Sequence, residues 1–432
     1  MNKYHEDLRM VQNPEVISWS GHKTNWRKDP PMNIYNSDDD TKKKNRKNGD
    51  DRKSARPSRK ASGTGEDAAA SQKSSPAIPE LAQLPEFKFS MTNQPLRKLP
   101  AGTAREATAR EFPVSQNIAA VLMTLKPGGL RELHWHANAA EWAYIIEGHV
   151  RVTIVDPQGR LEIADFAKGD IWYFPRGHVH SIQGLGPGTT EAKFLLVFDN
   201  GYFSEFATFS VSDWLAQTPK EIVAKNLNVS PDDLAGLPTG EVYIAEGPVP
   251  PEAGVVPISG PGTVLVPPLT HRYQLRVQKP FVKSASGEVR LASAAEFPIS
   301  TTMTGALMTL HRGGLRELHW HPNADEWQYV LSGKIRLTVF ASNGLSRVVE
   351  LEPGDIGFAP VGYGHALENV GDDTAEIILV FNSGDYQELS ISTVIAAQPS
   401  YLLETNLYLP EAVIKKLPRR QEFITSGHHG RS

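Results

Sequence analysis

From residue 118 onward, apolar residues fall into short blocks of two kinds. Ile118 to Leu125 is almost unbroken and short enough for a buried strand. His149 to Val155 alternates instead: Val150, Val152 and Ile154 share one face, Arg151 and Thr153 the other. Further strands are predicted at Leu161–Phe166, Ile171–Phe174 and Lys193–Phe198. Turns punctuate them, at Lys126-Pro127-Gly128-Gly129 and Asp156-Pro157-Gln158-Gly159. Closely spaced short strands of this sort predict an antiparallel sandwich or barrel. The period then changes. Thr218-Pro219-Lys220-Glu221 reads as an N-cap, a first-turn proline and a capping-box glutamate, and Ser230-Pro231-Asp232-Asp233 repeats the logic.

After a Gly/Pro-rich stretch at 237–280, the pattern starts again. Glu296-Phe297-Pro298-Ile299-Ser300 echoes Glu111-Phe112-Pro113-Val114-Ser115. Ile335, Leu337 and Val339 alternate with Arg336 and Thr338, and Leu379-Val380-Phe381 echoes Leu196-Val197-Phe198. Pro399 and Pro410 take the places of Pro219 and Pro231. The expectation is an all-β chain of two similar β-barrel domains with short terminal helices, at 85–265 and 266–432. Residues 1–84 are expected to be a disordered leader, too polar to offset the entropy of ordering.

Composition narrows the chemistry. With no cysteine in 432 residues, disulfides and thiolate metal sites are excluded, and a metal would need imidazole and carboxylate. Sixteen Lys and Arg against twelve Asp and Glu make residues 1–80 basic, and 29 against 37 make the remainder acidic. An acidic body argues against nucleic acid as a partner. No apolar run reaches the length of about 18 residues that spans a membrane. No secretory leader is seen at the start, so a cytoplasmic protein is expected.

One phrase occurs twice: Gly128 to Trp142 (GGLRELHWHANAAEW) and Gly313 to Trp327 (GGLRELHWHPNADEW). Each copy sets out two histidines and a glutamate, and a Pro-x-Gly-x-x-His follows. The two sets are His134, His136, Glu141 and His180, then His319, His321, Glu326 and His365, at a constant offset of 185. On a strand, His134 and His136 project to one face. Three imidazole nitrogens and one carboxylate oxygen leave two positions open on an octahedral ion, as a site for chemistry requires. Trp135 and Trp320, between ligands, should point outward and pack at an interface between domains or subunits. His428 and His429 read as tail residues.

Gly129, His134, His136, Glu141 and Gly148, followed by Gly169, Pro175, Gly177 and His180, spell out the cupin signature, and it repeats from Gly314 to His365. The phrases RELHWH and WYFP, and the run from Leu195 to Ala216, make residues 85–420 similar to bicupin oxalate decarboxylases. The resemblance implies two tandem cupin (jelly-roll) domains. It implies Mn2+, two per chain, with dioxygen as a co-catalyst that is not consumed. Oxalate is the implied small-molecule substrate, split to formate and carbon dioxide, and a family-like homo-hexamer is the implied assembly. In that family an arginine beside the ligands binds oxalate and a lid glutamate handles the proton. Arg131 and Glu205 match those positions, with Arg316 repeating the first. The forked guanidinium suits a carboxylate, and a gated carboxylate can take and return one proton.

The lid departs from the family form. Ser204-Glu205-Phe206-Ala207 keeps the glutamate but replaces two polar neighbours. An oxalate oxidase, giving hydrogen peroxide, is therefore the alternative enzyme, and a storage or sugar-binding bicupin the alternative without chemistry. In the second copy Glu388 stands opposite Glu205; either it serves the second metal or that site is structural.

Overall fold

The computed structural model describes residues 84–186, 190–203, 208–250 and 267–426. The leader up to residue 83, the lid glutamate Glu205, and His428 and His429 lie outside the described residues. Strands dominate, and every pairing is antiparallel. Each repeat folds into one seven-stranded and one six-stranded sheet. In the first repeat the seven-stranded sheet carries Ile171–Phe174, Glu141–Glu147, Ala192–Phe198 and Ala119–Leu125 side by side. The six-stranded sheet centres on Gly129–His136, with Val179–Gly184, His149–Val155 and Leu161–Ala167 following. The second repeat matches, with Asp355–Ala359, Glu326–Ser332, Ala375–Phe381 and Thr304–Leu310 in one sheet. Its other sheet carries Gly314–Trp320, Gly364–Asn369, Ile335–Phe340 and Ser346–Leu351.

The two kinds of apolar block now have a cause. Ala143, Ile145, Phe194, Leu196 and Phe198 fill the inside of the first barrel. Trp142, Tyr144, Leu195 and Val197, on the opposite face of the same strands, pack on Trp327, Tyr329, Ile378 and Val380 of the second repeat. The seven-stranded sheets are thus buried on both faces, and their strands read as continuous apolar runs. The His149–Val155 strand belongs to a sheet buried on one face, and it alternates. Gly305 lies on this shared core, where a Cβ would come within 2.2 Å of the Trp142 ring.

Each repeat also lends an arm to the other. Lys88–Ser90 pairs with Asp355–Ala359, and Arg272–Tyr273 pairs with Ile171–Phe174. On the second of these arms Arg276 pairs with Glu376 (2.9 Å) of its own repeat and donates to the Tyr144 hydroxyl (3.3 Å) of the first. Hence the sheets cross the boundaries expected at 85–265 and 266–432 at both leading arms.

The helices differ in detail from the expectation. Pro219, not Thr218, occupies the N-cap of Lys220–Leu227, and it makes no side-chain cap bond. Thr218 instead closes the preceding helix, Val211–Gln217, donating its hydroxyl to the Trp214 carbonyl (2.7 Å). The Ser230–Asp233 capping box is present as read, on a 3-10 turn. No helix among the described residues is long and apolar enough to cross a membrane.

Candidate metal centres

Strand alternation along Gly129–His136 buries His134 and His136 and leaves Leu133 44% exposed. Val179–Gly184 runs antiparallel beside it, with His180 directly opposite His134. The turn that returns the chain is pinned by the Gly177 amide, which donates to the His136 carbonyl (3.0 Å). Gly177 holds φ of 79°, a conformation that favours glycine, which explains the glycine in Pro-x-Gly. Glu141 opens the neighbouring sheet, opposite Phe174 and Phe198. The second repeat places His365 opposite His319 and Gly362 under His321 in the same way. All eight ligands expected from the sequence therefore meet, in two quartets whose donor atoms lie within 4.8 Å of one another.

Backbone acceptors orient the rings. His134 Nδ1–H donates to the Glu132 carbonyl (2.6 Å), and His180 Nδ1–H to that of His178 (2.9 Å). His319, His321 and His365 donate to the carbonyls of Glu317, Gln387 and Tyr363. His136 Nδ1 meets Thr208 Oγ1 at 3.0 Å. Each Nε2 is thereby turned into the quartet, the arrangement that ligating histidines adopt. The Nε2 atoms of His180 and His319 are buried without a hydrogen-bond partner. Such orphans call for an explanation, and a metal ion supplies one.

The electrostatics agree with ligation. Burial, helped by the nearby guanidinium of Arg131, holds His134 well below its ordinary pKa, and burial lowers His136 to about 4. His319 is lowered by burial and Arg316. These imidazoles are neutral at pH 7, the form that binds metal. Burial alone would raise the carboxyls of Glu141 and Glu326. The surrounding imidazoles outweigh it and hold both well below the usual carboxylate range.

A pocket adjoins the first quartet, with Arg131, Tyr243 and Phe203 on its wall. Arg131 is 4% exposed, donates to the Tyr243 carbonyl (3.1 Å) and lies 4.2 Å over the Tyr243 ring. Arg316 is equally buried beside the second quartet, but Glu388 is bonded to it. Trp135 is half-buried on the outer side, stacked on Phe209 (5.4 Å) and edge-on to Trp214 (5.8 Å).

Some supporting residues were not anticipated. Trp172 Nε1–H donates to Glu141 Oε1 (2.9 Å), and Gln328 Nε2–H does the same for Glu326 Oε1 (2.8 Å). Gln328 was within reach of the strand period, two residues from Glu326 on one face. Trp172 was not, because its strand is a different one from that of Glu141.

The cupin family model matches residues 91–234 and again 273–414. Oxalate decarboxylase OxdC of Bacillus subtilis is 46% identical over 323 residues, covering 75% of this chain and 82% of that protein. A probable oxalate decarboxylase of Arthroderma benhamiae is 32% identical over 346 residues, covering 79% and 84%. The structure of the Bacillus subtilis enzyme at pH 4.6 superposes with a TM-score of 0.75 at 42% identity, covering 80% of this chain and 88% of that one. A further matching structure, also at 0.75 and covering 80% of this chain and 89% of that one, comes from work assigning the Mn(II) centres of the same enzyme. With the signature matched twice and the His₃Glu quartet built twice, the chain belongs to the cupin family.

Proposed function

We propose that the chain is an oxalate decarboxylase, converting mono-protonated oxalate to formate and carbon dioxide. The observation that carries the reading is the buried guanidinium of Arg131 on the wall of a pocket that also exposes His134, His136 and Glu141. The similarity to decarboxylases over three quarters of the chain supports it.

His134, His136, His180 and Glu141 would hold Mn2+ in the first site, and His319, His321, Glu326 and His365 in the second. When bound, that ion supplies a Lewis acid and, with dioxygen as a non-consumed partner, the one-electron chemistry that C–C cleavage needs. The protein's own residues do the rest. Arg131 takes a substrate carboxylate in a forked contact and fixes its orientation. Phe203, stacked on Phe198 at 3.6 Å, gives the pocket an apolar wall that limits water. Glu205, four residues past Gly201, takes the mono-oxalate proton and returns it to the formyl carbon.

In this reading the domain at 85–265 carries turnover. The reading also includes a cytoplasmic homo-oligomer, a hexamer as in the family, for which the exposed Trp214 (63%) and Phe209 (45%) offer apolar contact surface. Sedimentation and cell fractionation check those two points.

The test is metal analysis combined with product analysis on oxalate. The expected result is two Mn per chain and one formate per oxalate, with peroxide a minor product. Glu205→Ala should abolish formate while metal content stays near wild type. Stoichiometric peroxide from the wild type would make the chain an oxidase instead, and unchanged formate in the variant would remove Glu205 from the proton path.

A further inference from the structure

The two sites part company at the guanidinium. Arg131 makes its ion pair, among the described residues, with Glu132 at 3.8 Å, and Glu132 is itself engaged by the Tyr243 amide (2.7 Å). Arg316, 2% exposed, instead gives Nη2–H to Glu388 Oε2. The same oxygen accepts the Tyr386 hydroxyl, and Glu388 Oε1 accepts Nε2–H of Gln421. The Glu388 side chain is only 9% exposed. Its hydrogen bonds among the described residues thus go to Arg316, Tyr386 and Gln421, not to the metal quartet.

The same loop is tied down at several points. His321 donates to the Gln387 carbonyl (2.7 Å), and the Tyr386 ring packs 5.5 Å from the His321 ring and 5.2 Å from Phe381. Arg316 is further fixed by the Phe423 carbonyl (3.3 Å) and the Phe423 ring (3.7 Å). Tyr386 and Arg316 both line the cavity beside the second quartet.

We propose that Glu388 is a built-in carboxylate that occupies, on Arg316, the place a substrate carboxylate would take, and so keeps small dicarboxylates out of the second metal site. The substrate class rests on the reading proposed for the first site. An incoming dicarboxylate has to compete with an intramolecular partner, whose effective concentration is on the order of millimolar or higher. Success would leave the Glu388 charge largely buried without its cation, which is unfavourable. A carboxylate held in this way by one cation and two donors is also poorly placed to shuttle a proton for the second metal.

The experiment uses the full-length, Mn-loaded protein and acetate, a monocarboxylate that is not cleaved. Titration calorimetry counts acetate bound per chain in wild type, Glu388→Ala and Glu388→Gln. Glu388→Ala should bind one equivalent more than wild type, at least tenfold tighter than any second-site binding in wild type. Its thermal midpoint should rise further on adding acetate than that of wild type. Glu388→Gln, which keeps the side-chain shape, should gain the same equivalent more weakly.

An unchanged acetate count in either variant, with both metals retained, would overturn the proposal. Wild type binding two oxalates per chain would overturn it as well. The acetate comparison needs no oxalate chemistry. A wild-type chain that neither binds nor cleaves oxalate would therefore defeat the first-site reading and leave the acetate difference standing.

Discussion

The two metal quartets share a register and diverge in what surrounds them. Each sets one histidine opposite another across paired strands, and backbone carbonyls orient every ring but that of His136, which meets the Thr208 hydroxyl. Yet Glu141 leans on an indole and Glu326 on an amide. Arg131 faces a pocket while Arg316 faces Glu388. The two repeats thus share the His₃Glu quartet and differ in what packs against the neighbouring arginine. The lesson is that ligand identity and site accessibility are separate properties, set by different segments of chain.

The sharpest way to break the comparison is to remove one ligand from each site. His136→Ala should lower formate production at least 10³-fold, a loss of the size seen when a catalytic centre is dismantled. His321→Ala should lower it less than tenfold. Each variant should lose one of two Mn by metal analysis. Equal losses of activity would mean that both sites turn over.

Next in size is the guanidinium. Arg131→Lys should reduce kcat/KM about 10²-fold, because a point charge cannot reproduce the fork. Arg316→Lys should change it only a few-fold. Steady-state kinetics on oxalate decides between them.

Glu388→Ala should destabilise the chain by about 3 kcal/mol without added carboxylate, since it leaves a buried cation unpaired. Denaturant unfolding measures this, and a loss under about 1 kcal/mol would mean that water already compensates Arg316. Trp172→Phe should weaken Mn binding at the first site about tenfold, the lower end of the range for a lost outer partner. A competitive chelator titration would show one weakened site of two. The smallest effect is expected from Arg276→Met. Its pair with Glu376 is about a third exposed on both sides, so the cost should be about 1 kcal/mol or less.

Much of the fold was legible because strand period and turn residues are local. The strands at Ile171–Phe174 and Leu161–Ala167 lie where the alternation and the turns placed them. The helix starts were less legible. Thr218 is a better capping residue than Pro219 by propensity, yet Thr218 is drawn back to the Trp214 carbonyl by the helix before it. Nor could the sequence reveal that each leading arm crosses to the other repeat, because pairing partners a hundred or more residues apart leave no local trace.

By itself the sequence picked out the eight residues that converge in the two quartets, the arginine beside each, and the duplication, since a repeated spacing of side chains carries its own geometry on a strand. Tertiary structure alone decided what stands against those residues: Trp172 on Glu141, the second repeat against the outer face of the first, and Glu388 on Arg316. These are contacts between segments distant in the chain. Chain spacing sets which way a side chain points, and only the folded packing sets what it meets there.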